Sequence, residues 1–397
     1  MDRRRLFSVF LIVFANFLGG TIVLPTLPLY AQRHFDADPS VISLMLASFF
    51  IAQFIAAPWL GRLSDRYGRV PVLIVSQIGT FLSFLMMGTA GSLPLLFAAR
   101  VLDGITGGNV IVAQAYITDF SPREKRTQSL GIVWTAFGVG YILGPALGGV
   151  VAALFSDRAT FFVGAAISLI TVIITWLLLD EPKEKRINRA KVGIRPAEIT
   201  SNAPLVLILV IGFMAQMSIA LLQSTLALFG EAVVFAHHTD QEVNLGVGLL
   251  LACVGVGQLV TQLLLLPSLV KHLGERRLVV VGAVIRAVGF LSMAVFVSPW
   301  LVGGFSLMAI AIASGTMMPS LQSMATTSVP EGVSGSILGV YQSCVTLGII
   351  IGTAIGGQLF EVAPTLPYII AGTVLLLTVI PGLLLMRRTR PVAEALA

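Results

Sequence analysis

The sequence predicts an all-α membrane protein with twelve transmembrane helices in two six-helix, pseudo-symmetric bundles. Three observations lead there. Hydrophobic residues make up 56% of the 397 and charged residues only 11%, with mean hydropathy +0.94. A soluble domain carries about 25% charged residues. Apolar runs recur along the chain, each long enough for the roughly 20 residues that a spanning helix needs. The second half also repeats part of the first. This composition excludes a water-soluble enzyme, a disordered chain and a nucleic-acid-binding domain.

The elements follow from charge-free stretches. Met1 to Arg5 is basic and no small-residue cleavage site precedes Pro25, so 6–30 is expected to be a first span and not a removed leader. Spans two and three, 41–62 and 70–90, flank a short charged loop. The run 70–99 is too long for one helix and turns near Gly91, Ser92 and Pro94, which starts span four at 94–118. Spans five to eight are 128–154, 159–179, 204–230 and 244–270. Span nine, 277–297, contains Arg286. A turn at Ser298-Pro299 opens span ten at 300–325. Spans eleven and twelve are 335–360 and 366–386. The longest polar segment divides the chain into an N-terminal bundle, 1–180, a cytoplasmic linker, 181–203, and a C-terminal bundle, 204–397.

Charge orients this arrangement. With twelve spans both termini share one side, and 21 of the 25 basic residues fall there. Only Arg33 and Arg158 fall opposite; Arg100 and Arg286 lie within spans. Lysine and arginine concentrate on the cytoplasmic side, so both termini are expected to be cytoplasmic. The net charge of +6 then reflects topology and implies no nucleic-acid partner. Cys253 and Cys344 lie in apolar runs and suggest neither a disulfide framework nor a metal site. His237-His238 with Asp240 reads as a solvated loop, and no catalytic constellation or phosphate loop is visible.

At an offset of 208 residues, Gly107, Gln114, Pro122, Gly131, Gly140, Gly144, Gly148 and Gly149 coincide with Gly315, Gln322, Pro330, Gly339, Gly348, Gly352, Gly356 and Gly357. Spans four and five therefore repeat as ten and eleven. Glycines four apart share a helical face and admit close approach of another backbone. Pro145 lacks an N–H and permits a bend. The Gly140, Gly144, Pro145, Gly148, Gly149 run reads either as a hinge between the halves or as tight packing.

Three stretches resemble signatures of the major facilitator superfamily. Gly61 to Leu73 is similar to the loop signature G-x-L-x-D-R-x-G-R-x-x-x-L. Arg100 to Gly104, R-x-x-D-G, resembles a span-four signature whose arginine is associated with proton coupling. Gly140 to Gly149 resembles the span-five signature of the antiporters, G-x-x-x-G-P-x-x-G-G. The resemblance covers the whole chain and extends to the twelve-span tetracycline and multidrug antiporters. It implies a secondary transporter exporting small lipophilic compounds in exchange for protons. The tetracycline carriers hold aspartates in spans one, three and nine; here Asn16, Ser83 and Arg286 stand at those positions. A uniporter or symporter of a metabolite or lipid is the alternative, and a transporter-like sensor a more distant one.

Ionisable residues deep in a span are costly and point to function. Asp103 and Arg100, three apart, share one face of span four. Asp103 is expected to carry the proton and Arg100 to set its affinity; a static neutralising pair is the alternative. Gly61, Asp65, Arg66, Gly68 and Arg69 are expected to form a cytoplasmic latch with Asp119, with Asp65 near the start of span eleven. The resemblance implies that spans 1, 4, 7 and 10 line a cavity, flanked by 2, 5, 8 and 11. Candidates to line it are Asn16, Gln53, Asn109, Gln114, Tyr141, Gln216, Gln223, Gln258, Met317, Gln322, Tyr341 and Gln342. Arg286 is expected to face water or an anionic group, or else to snorkel. The expected partners are a small-molecule substrate, protons and the bilayer of a plasma membrane, with the inner membrane of a bacterium favoured. A monomer is expected, with no cofactor beyond the proton gradient and no metal.

Overall fold

The computed structural model describes residues 3–107, 112, 116, 126–181, 196–329 and 334–387. The described residues are α-helical with short turns and π-helical stretches. The principal helices are α1 Arg3–Ile22, α2 Thr26–Phe35, α3 Pro39–Tyr67, α4 Arg69–Gly88, α5 Leu93–Thr106, α6 Arg126–Leu154 and α7 Asp157–Leu178. They continue as α8 Ala203–Phe229, α9 Asp240–Val260, α10 Leu266–Ser292, α11 Met308–Thr327, α12 Ser334–Val362 and α13 Leu366–Arg387. Among the described residues, nine helical segments are long and apolar enough to cross a membrane. Large side chains such as Ile55, Trp59, Trp176, Leu264 and Trp300 are exposed, as a lipid-facing surface requires. The chain is a multi-pass membrane protein.

Two boundaries differ from the sequence prediction. The first span is not one helix: α1 stops at Ile22 and α2 starts at Thr26. Pro25 and Pro28 cannot donate to the preceding turn, and Leu24 donates instead to the Thr21 carbonyl. The expected loop between spans eight and nine, 271–276, is helical on both sides of a single residue. The segment Asp240–Ser292, 53 residues long, is broken only at Gly274, whose φ is 75° and ψ 155°. Glycine takes this left-handed conformation without a Cβ clash, so one residue reverses the chain. Gly68, with φ 105°, does the same between α3 and α4.

Contacts group the chain into two compact units. One is Met1–Ile187 with Leu226–Gly255; the other is Asn188–Thr225 with Val256–Ala397. The division expected at 181–203 differs from this by residues 226–255, the end of α8 and most of α9. In the first unit α1 packs on α6 and α7, α4 on α5 and α7, and α3 on α5. In the second, α10 packs on α11 and α13.

The repeated glycines have a common structural use. A Cβ at Gly140, Gly144 or Gly148 would meet the α1 backbone at Phe14, Leu18 and Ile22. Their counterparts Gly348 and Gly352 face the α8 backbone at Phe213 and Met217, and Gly356 faces Ser224. The fifth helix of each half thus lies backbone-to-backbone on the first. Pro145 sits inside α6, which continues through it. Gly149 faces Gly248 of α9, its Cβ position 3.0 Å from that Cα.

Candidate functional site

The first unit holds a buried polar site where α3, α4 and α5 meet. Arg100 and Asp103 are 6% and 5% exposed. Arg100 Nη1 donates to Asp103 Oδ2 at 3.0 Å, as residues one turn apart on a helix can. The guanidinium carbon lies 4.3 Å from the Phe49 ring centre of α3. Glycines bring the helices together: a Cβ at Gly104 would strike the Phe49 carbonyl, and one at Gly79 would strike the Thr106 side chain. Gln53 Nε2 donates to the Gly107 carbonyl at 2.9 Å, tying α3 to the end of α5.

Sequence reasoning missed the α4 wall of this site. Gln77, Thr80 and Ser83 are all buried, and their spacing of three puts them on one helical face. Thr80 lies beside the Asp103 carboxylate. Among the described residues, both amide atoms of Gln77, the Ser83 hydroxyl and Arg100 Nε have no hydrogen-bond partner. Buried polar groups are normally paired with protein or ordered water. This stripe therefore suits a hydrated track beside Asp103. The signal was present as three polar residues at i, i+3 and i+6 in a span where Ser76 is the other buried polar residue.

The loop after α3 forms a compact charged motif. Asp65 and Arg69 pair at 2.7 Å, and Arg69 Nη1 donates to Ser64 Oγ at 2.6 Å. Arg66 stands over the Tyr67 ring at 5.3 Å. The sequence reading did not include Glu181, whose carboxylate accepts from the backbone N–H of Arg69 at 2.7 Å and of Val70 at 2.8 Å. A carboxylate there satisfies two free donors at the positive end of α4. Gly68 leaves room for it, since a Cβ would lie 2.7 Å from the Glu181 carboxyl carbon. Around Gly61 a Cβ would meet nothing within 4 Å. Asp119, expected to join this motif, lies outside the described residues.

A second unforeseen cluster surrounds Arg33, in the last turn of α2. Its Nε donates to Glu231 Oε1 at 2.7 Å and its Nη1 to Asn244 Oδ1 at 3.1 Å. Asn244 Nδ2 in turn donates to Asp157 Oδ1 at 2.9 Å. Asp157 and Asp240 lie 3.7 and 3.8 Å from the guanidinium. One arginine thus clamps the ends of α2, α7, α8 and α9. Its sequence signal was slight: Arg33 is one of only two basic residues assigned to that face.

The expected cavity residues are dispersed over both units. In the first, Asn16, Gln53 and Tyr141 are half-buried; in the second, Gln216, Gln223 and Gln258 are half-buried and Gln322 and Gln342 exposed. Met317 and Tyr341 are buried at 0% and 5% exposure. Asn109 and Gln114 lie outside the described residues. Arg286 faces no water and does not snorkel: it is 0% exposed, and its Nη2 donates to the Ala215 carbonyl at 2.9 Å.

Comparison with known proteins agrees with this architecture. The Major Facilitator Superfamily profile matches residues 9–239 and 209–397. The class E tetracycline resistance protein of Escherichia coli is 33% identical over 372 residues, covering 90% of this chain and 88% of its own. Multidrug resistance protein 2 of Bacillus subtilis (strain 168) is 26% identical over 385 residues, 93% of each chain. The crystal structure of the nucleoside transporter NupG superposes with a TM-score of 0.79 at 14% identity, covering 98% of this chain and all of that one. With its profile matched along almost the whole length and its helices built on the same plan, the chain belongs to the Major Facilitator Superfamily of transporters.

Proposed function

We propose that this protein is a proton-coupled antiporter that exports small lipophilic compounds by alternating access. The observation that carries the reading is the Arg100–Asp103 pair, enclosed by Phe49 and the buried polar stripe of α4. Similarity to tetracycline and multidrug resistance proteins supports the substrate class. Asp103 carries the proton. In this reading the carboxylate is ionised only while Arg100 stands 3.0 Å away, since burial favours its neutral form and the opposite charge the ionised one. When a conformational change separates them, the carboxylate takes a proton from the track along Gln77, Thr80 and Ser83. The driving force is the proton gradient.

In this reading twelve helices form two six-helix bundles joined by 181–203, both termini face the cytoplasm, and the monomer works in a bacterial inner membrane. Asp65, Arg69 and Glu181 fix the cytoplasmic loop, and the Arg33 cluster fixes the opposite ends. The replacement of three carrier aspartates by Asn16, Ser83 and Arg286 favours a second reading, a uniporter or symporter. Reconstituted protein in liposomes with an imposed pH gradient and an internal pH dye separates the two. Under the first reading, lipophilic compounds collapse the gradient with the wild type and not with Asp103→Asn. Movement of radiolabelled compound without any response of the gradient refutes proton antiport.

A further inference from the structure

The second unit buries a positive charge that the proton chemistry does not use. Arg286 is fully buried on α10, yet only its Nη2 has a hydrogen-bond partner, the Ala215 carbonyl. Its Nε and Nη1 have none, and among the described residues it forms no ion pair. The nearest aromatic ring, Phe290, lies 6.0 Å from the guanidinium carbon. A guanidinium carries five N–H donors and cannot shed its charge by deprotonation. Burying it without an anion is costly, and a static structural role would call for a carboxylate partner.

A second unpartnered group reaches the same helix. Tyr341 of α12 is 5% exposed and its hydroxyl has no hydrogen-bond partner. Its ring and hydroxyl pack against Gly212 of α8, at 3.0 Å and 3.6 Å from that residue's Cβ position. Ala215, which accepts from Arg286, is three residues further along. Gly212 and Ala215 share one face of α8 about 4.5 Å apart along its axis. Tyr341 and the guanidinium therefore each contact the same turn of α8, one at Gly212 and the other at the Ala215 carbonyl. Among the described residues, Arg286 Nε and Nη1 and the Tyr341 hydroxyl have no hydrogen-bond partner.

We propose that Arg286 and Tyr341 form the recognition corner for the anionic group of a transported organic anion, a lipophilic monocarboxylate or sulfonate. Two oxygens on one planar group match a guanidinium fork, and the tyrosine hydroxyl supplies a third donor. A single cation neutralises a single negative charge, which sets the class as monoanion. The apolar surroundings, Phe290 on the same helix and Met317 packed against Gly282 one turn earlier, suit the lipophilic body of such a compound. This deepens the proposed export function and rests on it for the claim that the bound anion is cargo.

The test uses purified full-length protein in nanodiscs and a matched probe pair, a naphthalene carboxylate and its methyl ester, with binding followed by equilibrium competition. The wild type is expected to bind the carboxylate at least tenfold more tightly than the ester. Arg286→Gln should abolish that preference while ester binding stays within twofold; Tyr341→Phe should weaken only the carboxylate, three- to tenfold. Tyr341→Phe also serves where Arg286→Gln does not fold. Equal binding of carboxylate and ester by the wild type overturns the proposal, as does a preference that survives both substitutions. So does competition by chloride at concentrations where it displaces the carboxylate stoichiometrically, since the corner would then hold an inorganic ion. Gradient collapse by neutral compounds alone, with no carboxylate binding, refutes the corner and leaves the antiporter reading standing. Arg286-dependent carboxylate binding without transport of any compound does the reverse.

Discussion

Breaking the Arg100–Asp103 pair from one side and from both sides should have opposite consequences for stability. At 3.0 Å and an effective dielectric of about 20, the Coulomb attraction is about 5.5 kcal/mol. Both side chains are only 7% exposed, so solvent screens little of it. Much of that attraction offsets the desolvation of two charges, and the pair as a whole contributes little net stability. Removing one partner leaves the other charge buried and alone. Arg100→Leu and Asp103→Leu are each expected to lower unfolding free energy by about 3–5 kcal/mol. The double variant, with neither charge left to bury, should fall within about 1 kcal/mol of the wild type, or above it. Reversible unfolding of detergent-solubilised protein, run on all four proteins as a double-mutant cycle, gives the coupling directly. All three variants should lose proton-coupled transport, so a stable, inactive double variant separates function from folding. If the two single losses simply add in the double variant, Asp103 is not an ionised partner of Arg100 and the proton switch built on that pair fails.

Three further outcomes follow from the other contacts. Arg33→Ala leaves Glu231 and Asp157 near one another without a counter-charge, and should cost about 2 kcal/mol, between exposed and fully buried pairs; unfolding at low and high salt checks it, with Arg33→Lys recovering part of the loss. Glu181→Gln keeps one acceptor but loses the charge at the start of α4, and should cost about 0.5–1 kcal/mol; hydrogen exchange at the Arg69 and Val70 amides should quicken. Gly144→Val and Gly352→Val press side chains into the α1 and α8 backbones and should each destabilise by about 1–3 kcal/mol. Gly339→Ala, where a Cβ meets nothing within 4 Å, should be close to neutral in the same assay.

Apolar run length made the membrane-spanning helices legible, because it reflects a constraint on single segments. Helix ends were less so. That Gly274 alone would break α10 depends on a backbone angle, and a glycine in a charged loop looks the same with or without it. The Arg100–Asp103 pair was legible because both residues sit on one helix one turn apart. Its α4 wall was not, since Gln77, Thr80 and Ser83 gain meaning only when α4 packs on α5. The Arg33 cluster was hidden for the same reason: its members come from four separated segments, joined only by packing.

The internal repeat shows which features the two halves share. Glycines at an offset of 208 serve the same contact in both, α6 on α1 and α12 on α8. Backbone-to-backbone approach admits one residue type at fixed spacing, so such positions stay recognisable. Ionisable groups do not follow the repeat. The same offset from Arg100 and Asp103 lands on Met308 and Ala311, and no second pair replaces them there. The buried Arg286 of α10 has its counterpart region in α4, where uncharged Gln77 and Thr80 stand. One half therefore holds a carboxylate that can exchange a proton, and the other a cation that cannot. In the proposed mechanism that asymmetry gives the proton and the substrate anion separate sites, so that neither must displace the other directly. On that proposal coupling passes through helix packing and not through direct contact of the two charges, and the shared glycine contacts are the first place to test for it.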